Sequence, residues 1–213
     1  MIVLVDLDGT VWDSEPGIVR SMEHTLHELG RAVPPPEVLV DAIGPPLRTM
    51  LAELGVPEHE LDDGVRAYRE RYHRLGVLEA TLYDGVLPML DRLLDDGHRL
   101  ATATSKSEVP ARMMLDHYGV ADRFEVIATA SMDGTSTTKA AVVGRALEGL
   151  GDPDRGSCVL VGDRHHDVTG AAAHGIPCIG ACWGYGGEDE LRLAGARWLA
   201  TAPADVPPLV AGR

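Results

Sequence analysis

Lysine is scarce in this 213-residue chain: of 19 basic residues only Lys106 and Lys139 are lysines, and the other 17 are arginines. An ammonium is a compact point charge and a guanidinium a planar fork. Surface positive charge is therefore given to arginine, and the two positions that keep lysine are candidates for a role that needs an ammonium. Positive charge is also short overall. The 33 acidic residues leave a formal net charge of −14, which repels nucleic acid polymers and anionic membranes. An anionic substrate would need a local positive field. No apolar run is long enough to span a bilayer. Met1 leads straight into a strand-like run, without a basic n-region or cleavable signal, so a cytoplasmic location is expected. There are three cysteines, Cys158, Cys178 and Cys182. Their odd number and apolar flanks point to reduced thiols and away from a disulfide framework or a zinc site.

What is present is an alternation. Short apolar runs recur at 2–10, 98–105, 124–130, 158–163 and 176–182, each the length of a buried strand. Helix-like patterns lie between them at 86–96, 107–118, 138–150, 165–174 and 187–194. Strands alternating with helices predict a parallel sheet covered on both faces. From about Glu15 to Ala80 no strand is read. The patterns at 17–30, 36–55 and 60–76 are helical, punctuated by PPP at 34–36 and GPP at 44–46. The expected fold is α/β, a Rossmann-like three-layer parallel sheet core over 1–14 and 81–213, with an inserted all-helical cap domain over 15–80.

Sites in open α/β sheets lie outside the carboxyl ends of the strands. Those ends carry Asp6 and Asp8, then Thr104 and Ser105 with Lys106 next, then Asp163 and Asp167. Lys139 opens the helix at 138–150. Four carboxylates together repel one another, and a hard divalent cation such as Mg2+ resolves this with oxygen ligands. The hydroxyl, the lysine, a helix N-terminus and backbone N–H groups around Gly9 and Ser105 suit phosphate oxygens. A carboxylate can attack phosphorus, and a neighbouring acid can protonate the leaving oxygen and then activate water.

At this point Asp6-Leu7-Asp8-Gly9-Thr10 resembles the first motif of the haloacid dehalogenase superfamily. Thr104, Lys139 and Gly162-Asp163-x-x-x-Asp167 resemble its second, third and fourth motifs, in order. The inserted cap also matches, so the resemblance covers essentially the whole chain. It implies a Mg2+-dependent phosphatase acting on small phosphate monoesters through an aspartyl-phosphate, as a monomer or homodimer. Asp6 would be nucleophile and metal ligand. Asp8 would be general acid/base, with its backbone carbonyl on the metal. Thr104 and Lys139 would bind the phosphoryl group, Asp163 would ligate Mg2+, and Asp167 would support the metal indirectly. IGPPL at 43–47, DGTSTTK at 133–139 and WGYG at 183–186 resemble the phosphoglycolate phosphatase-like and 5′-nucleotidase-like subgroup. Many relatives have proline after the third-motif lysine. Here Ala140 follows, which favours the nucleotidase-like side. The presence of Asp8 argues against dehalogenation. The alternatives are a sugar phosphomutase of the same fold, β-phosphoglucomutase-like, and a non-enzymatic phospho-aspartate signalling module.

Other residues have plainer readings. Lys106 reads as a solvated loop lysine. His165 and His166 read as surface or supporting groups near the metal motif. Trp183 and Tyr185 read as cover for the sheet edge. Arg48 reads equally as a contact to the substrate's far end and as a solvated helix arginine.

Overall fold

The computed structural model describes residues 1–130 and 138–212. The chain divides into two compact units, one made of residues 1–12 and 82–213 and the other of residues 13–81.

The first unit is built on six strands: β1 (Ile2–Val5), β4 (Arg99–Ser107), β5 (Val126–Ala130), β6 (Cys158–Gly162), β7 (Cys178–Ala181) and β8 (Trp198–Ala200). They form one sheet in the order β5-β4-β1-β6-β7-β8. Every pairing is parallel. Ile2 of β1 pairs with Arg99 on one side and Cys158 on the other, and Val5 pairs with Thr102 and Val161. β1 is therefore central, and the strand order reverses beside it, where such sheets open a crevice at their carboxyl edge. All four β1 residues are buried, because both faces of the sheet are covered. This explains why the strand reads as an unbroken apolar run rather than an alternation.

The covering helices are α5 (Val86–Asp95), α6 (Glu108–His117), α7 (Lys139–Gly149), α8 (His165–Ala172), α9 (Gly187–Ala194) and α10 (Val206–Ala211). On one face Val142, Val143 and Leu147 of α7 and Val168 of α8 pack on Leu4 and Leu160 of the sheet. Each such side chain, taken fully out of water, contributes roughly 1.5–3 kcal/mol. The strand β8 and the helix α10 were not anticipated from the sequence.

The second unit holds α1 (Glu15–Glu28), α2 (Pro36–Asp41), α3 (Leu47–Glu53) and α4 (Leu61–Arg74). The single helical pattern expected at 36–55 is two helices. Gly44 takes φ 131°, far from the helical region, and Pro45 and Pro46 follow it; neither proline could donate the backbone hydrogen bond that continues a helix. Close packing of α1 depends on Gly17, where a Cβ would meet the Gly76 carbonyl oxygen at 2.2 Å. Arg71 and Arg20 both pair with Glu79, and Tyr68 stacks on Tyr72. Two short strands, β2 (Trp12–Asp13) and β3 (Thr81–Leu82), pair with each other where the chain passes from one unit to the next.

Candidate active site

Asp6 directly follows β1 and continues its ladder, donating its backbone N–H to Val161 O at 2.9 Å. The chain then turns. The N–H groups of Thr10 and Val11 both reach Leu7 O, and Gly9 donates to Trp12 O at 2.9 Å. Gly9 has φ 77°, and a Cβ there would stand 2.2 Å from Asp163 Oδ2. Only glycine takes that backbone at no steric cost and leaves room for Asp163.

Asp163 follows the last residue of β6 and is fully buried. The Thr10 hydroxyl donates to its Oδ1 at 3.1 Å, and the Tyr185 backbone N–H donates to its Oδ2 at 2.9 Å. Asp167 lies in the first turn of α8, where its Oδ2 accepts the Arg164 N–H at 3.1 Å. This carboxylate satisfies one of the free N–H groups at a helix start. Gly162 makes room for it, since a Cβ there would lie 2.3 Å from Asp167 Cγ.

Lys139 is the first residue of α7, and its side chain is 5% exposed. Its ammonium reaches three acceptors: Asp167 Oδ1 at 2.7 Å, Asp6 Oδ2 at 3.0 Å and Ala103 O at 3.0 Å. The Ala103 contact is a hydrogen bond and the two carboxylate contacts are ion pairs. The stem passes α8 at Gly170, where a Cβ would press on Lys139 Cγ at 2.5 Å.

The balance of charge remains negative. Asp6, Asp163 and Asp167 are all buried, with ligand oxygens within 4.8 Å of one another, and one ammonium faces them. Burial, with Asp167 and Asp8 adding to it, pushes the Asp6 carboxyl up to about 7 in spite of Lys139. Burial, then Asp167 and Asp6, drives Asp163 well above the carboxylate range. Burial alone would lower the Lys139 ammonium, but Asp167 and Asp6 outweigh it and hold it above its ordinary value. Asp6 Oδ1 is buried and has no hydrogen-bond partner among the described residues. Asp167 Oδ1, though ion-paired with Lys139, also lacks a well-formed hydrogen bond, and an all-oxygen acidic cluster with such open carboxylate oxygens fits a hard divalent cation such as Mg2+.

The sequence pattern of the haloacid dehalogenase-like hydrolases matches residues 3–181. The chain belongs to that family. The chain is 44% identical over 189 residues to a protein named tyrosine-protein kinase PtkA from Mycobacterium tuberculosis, covering 88% of this chain and 64% of that one. The chain thus spans less than two thirds of the mycobacterial relative. It is 38% identical over 191 residues to a 5′-nucleotidase from Pseudomonas aeruginosa, covering 89% and 86% of the two chains. The crystal structure of a predicted phosphatase from Clostridium acetobutylicum superposes with a TM-score of 0.94 at 32% identity, over 100% of this chain and 98% of that one.

The fold places the motif residues unequally. Asp6, Asp163, Asp167 and Lys139 meet directly. Thr104 is buried near the end of β4, and its hydroxyl accepts the Lys106 N–H at 3.2 Å. Ser105 follows it, partly buried. The Asp8 side chain is outside the cluster: its Oδ2 pairs with Lys106 Nζ at 2.9 Å and its Oδ1 accepts the Trp12 indole N–H at 3.0 Å.

The Gly9 N–H is bonded to Trp12 O, and the same glycine allows the close approach to Asp163. Two readings change, that of Lys106 and that of the Trp183 and Tyr185 turn. Lys106 is not solvated: its side chain is 6% exposed and ion-paired. Tyr185 does more than cover the sheet edge, since its N–H holds Asp163, and Trp183 donates its indole N–H to Thr10 O at 3.0 Å. Between them, a Cβ on Gly184 would meet Gly9 O at 2.2 Å and Asp163 Cβ at 2.3 Å. Arg48, in the other unit, pairs with Glu58 and Asp62. His165 pairs through Nδ1 with Glu190, which also accepts from Arg164. The DGTST part of the 133–139 motif, residues 133–137, lies outside the described residues. Thr10 and Tyr185 were missed as supports for Asp163, although the WGYG turn was visible in the sequence.

Proposed function

We propose that this hydrolase is a Mg2+-dependent phosphatase of small phosphate monoesters that works through a phosphorylated Asp6. The observation that carries the reading is the buried trio Asp6, Asp163 and Asp167, with Lys139 bridging Asp6 and Asp167 and with Asp6 Oδ1 left open. In this reading Asp6 attacks phosphorus and the ester P–O bond breaks. Asp8 passes a proton to the departing oxygen, then takes one from the water that cleaves the Asp6–phosphate bond. Thr104, Ser105 and Lys139 hold the phosphoryl oxygens. Asp6, Asp163 and the Asp8 backbone carbonyl would hold Mg2+, with Asp167 in support. The ion would supply charge neutralisation at the phosphoryl group. In this reading the chemistry belongs to the sheet unit, and the expected cap over 15–80 carries substrate choice.

The 38% identity to a 5′-nucleotidase and the absence of proline after Lys139 favour nucleoside monophosphates over phosphoglycolate. The test is phosphate release from nucleoside monophosphates, phosphoglycolate and sugar phosphates, with Mg2+ or with chelator, for the native chain and Asp6→Asn. Mg2+-dependent release, lost in the variant, supports the reading. Release that survives Asp6→Asn refutes the nucleophile.

A second reading follows from the 44% identity to a protein named as a tyrosine kinase. The same Asp6 chemistry would then pass the phosphoryl group to a phenol instead of water. Incubation with ATP and a tyrosine-containing peptide separates the two, since phosphotyrosine rather than free phosphate would accumulate.

A further inference from the structure

We propose that Lys106 and Trp12 are positioning residues that fix the Asp8 carboxylate for its proton transfers, a role that rests on the phosphatase reading above. Lys106 Nζ is 2.9 Å from Asp8 Oδ2, and the Trp12 indole N–H donates to Asp8 Oδ1 at 3.0 Å. Each carboxylate oxygen carries a strong donor, so rotation about the terminal bond of the side chain breaks one contact or the other.

The clamp is itself held. Trp12 is fully buried and stacks on Tyr118, with ring centroids 5.6 Å apart and planes at 26°. The Lys106 side chain is 6% exposed, against 18% for Asp8. The Lys106 backbone N–H is tied to the Thr104 hydroxyl. Burying an ammonium is costly unless a partner charge meets it, and a solvated lysine would have kept its rotamer freedom. The placement is also selective. The chain has two lysines, and each faces one aspartate of Asp6-Leu7-Asp8: Lys139 pairs with Asp6 and Lys106 with Asp8.

A proton donor works only within hydrogen-bond reach and in line with the leaving oxygen. The ester enters as its monoanion. As the Asp6–phosphorus bond forms and the ester P–O bond breaks, that proton passes by way of Asp8 to the departing alkoxide. In this role Lys106 and Trp12 act through Asp8, so their effect depends on how much the leaving group needs a proton.

The experiment compares kcat/KM for the best alkyl ester of the panel with that for p-nitrophenyl phosphate, whose leaving group departs as an anion. Lys106→Met, Trp12→Phe and Asp8→Asn are made, together with Lys106→Met in the Asp8→Asn background. General acid catalysis is commonly worth about 10²–10⁴-fold. Lys106→Met is expected to lose roughly tenfold or more of that on the alkyl ester and less than about threefold on the aryl ester. Trp12→Phe should act in the same direction, and it carries the test if Lys106→Met fails to fold. In the Asp8→Asn background the Lys106 effect should vanish. Equal losses on both esters, a change confined to KM, or an undiminished Lys106 effect without Asp8 would each overturn the proposal. A native chain inert toward every ester would instead defeat the phosphatase reading, and this inference with it.

Discussion

Lys139 Nζ stands 3.0 Å from Asp6 Oδ2 at the end of the central strand, with both side chains almost wholly out of water. A lysine at the first position of a helix opposes the positive end of the helix dipole. Its placement is explained by what it faces, since Asp6 and Asp167 both need its charge.

Removing that charge leaves buried carboxylates uncompensated. Lys139→Met is expected to destabilise the metal-free protein by about 3–5 kcal/mol, the usual cost of breaking a buried pair from one side. Urea unfolding in chelator measures this. A loss below about 1 kcal/mol, at the level of an exposed pair, would contradict the ion pairs described.

The same carboxylates make metal-free stability depend on pH. The Asp6 pKa in the folded chain is raised to about 7 from an ordinary 3.8, and Asp163 is raised well above that ordinary value. A raised acid binds more protons folded than unfolded. Its contribution is complete below the unfolded value and is lost as pH rises through the folded one. Without metal, the melting temperature should therefore fall between pH 5 and pH 8. Mg2+ binds the ionised form, so it should raise the melting temperature more at pH 8 than at pH 5. An equal shift at both, measured by calorimetry, would count against the acidic cluster as the metal site.

Asp163 has two supports that do not touch the reacting atoms, the Thr10 hydroxyl and the Tyr185 N–H. Partners of metal ligands typically contribute about 10–100-fold to metal affinity. Thr10→Val should weaken Mg2+ within that range. Gly184→Ala should do at least as much, because its Cβ has no space between Gly9 O and Asp163. Mg2+ titration of activity or of melting temperature reads both. Unchanged affinity in both variants would mean that Asp163 is not a ligand.

Much of this site was legible because its chemistry sits in side chains at strand ends. The apolar run into Asp6 and the glycine before Asp163 announce themselves, since a buried strand ending in acids demands a partner. β8 was illegible: it is three residues long, and Trp198 and Leu199 are only partly buried, so no periodicity could build up. The split of the 36–55 pattern lay in Gly44-Pro45-Pro46, which was read as punctuation within one helical segment and not as its end. The supports of Asp163 were hidden for another reason. A backbone N–H such as that of Tyr185 has no residue type to give it away, and Thr10 lies 153 positions from its partner. Lys106 misled because a lysine after a strand is ordinarily solvated, and only the fold brings it against Asp8.

The central claim is that Asp6 carries the phosphoryl group. An aspartyl-phosphate is an acyl phosphate, which borohydride reduces to homoserine. The protein is mixed with its best ester and Mg2+, quenched within a turnover, reduced, digested and analysed by mass spectrometry. The account predicts homoserine at position 6, present only when ester and Mg2+ are both supplied and absent from Asp6→Asn. An intact Asp6 in protein that is turning over ester under the same conditions, or homoserine at another aspartate, would contradict it.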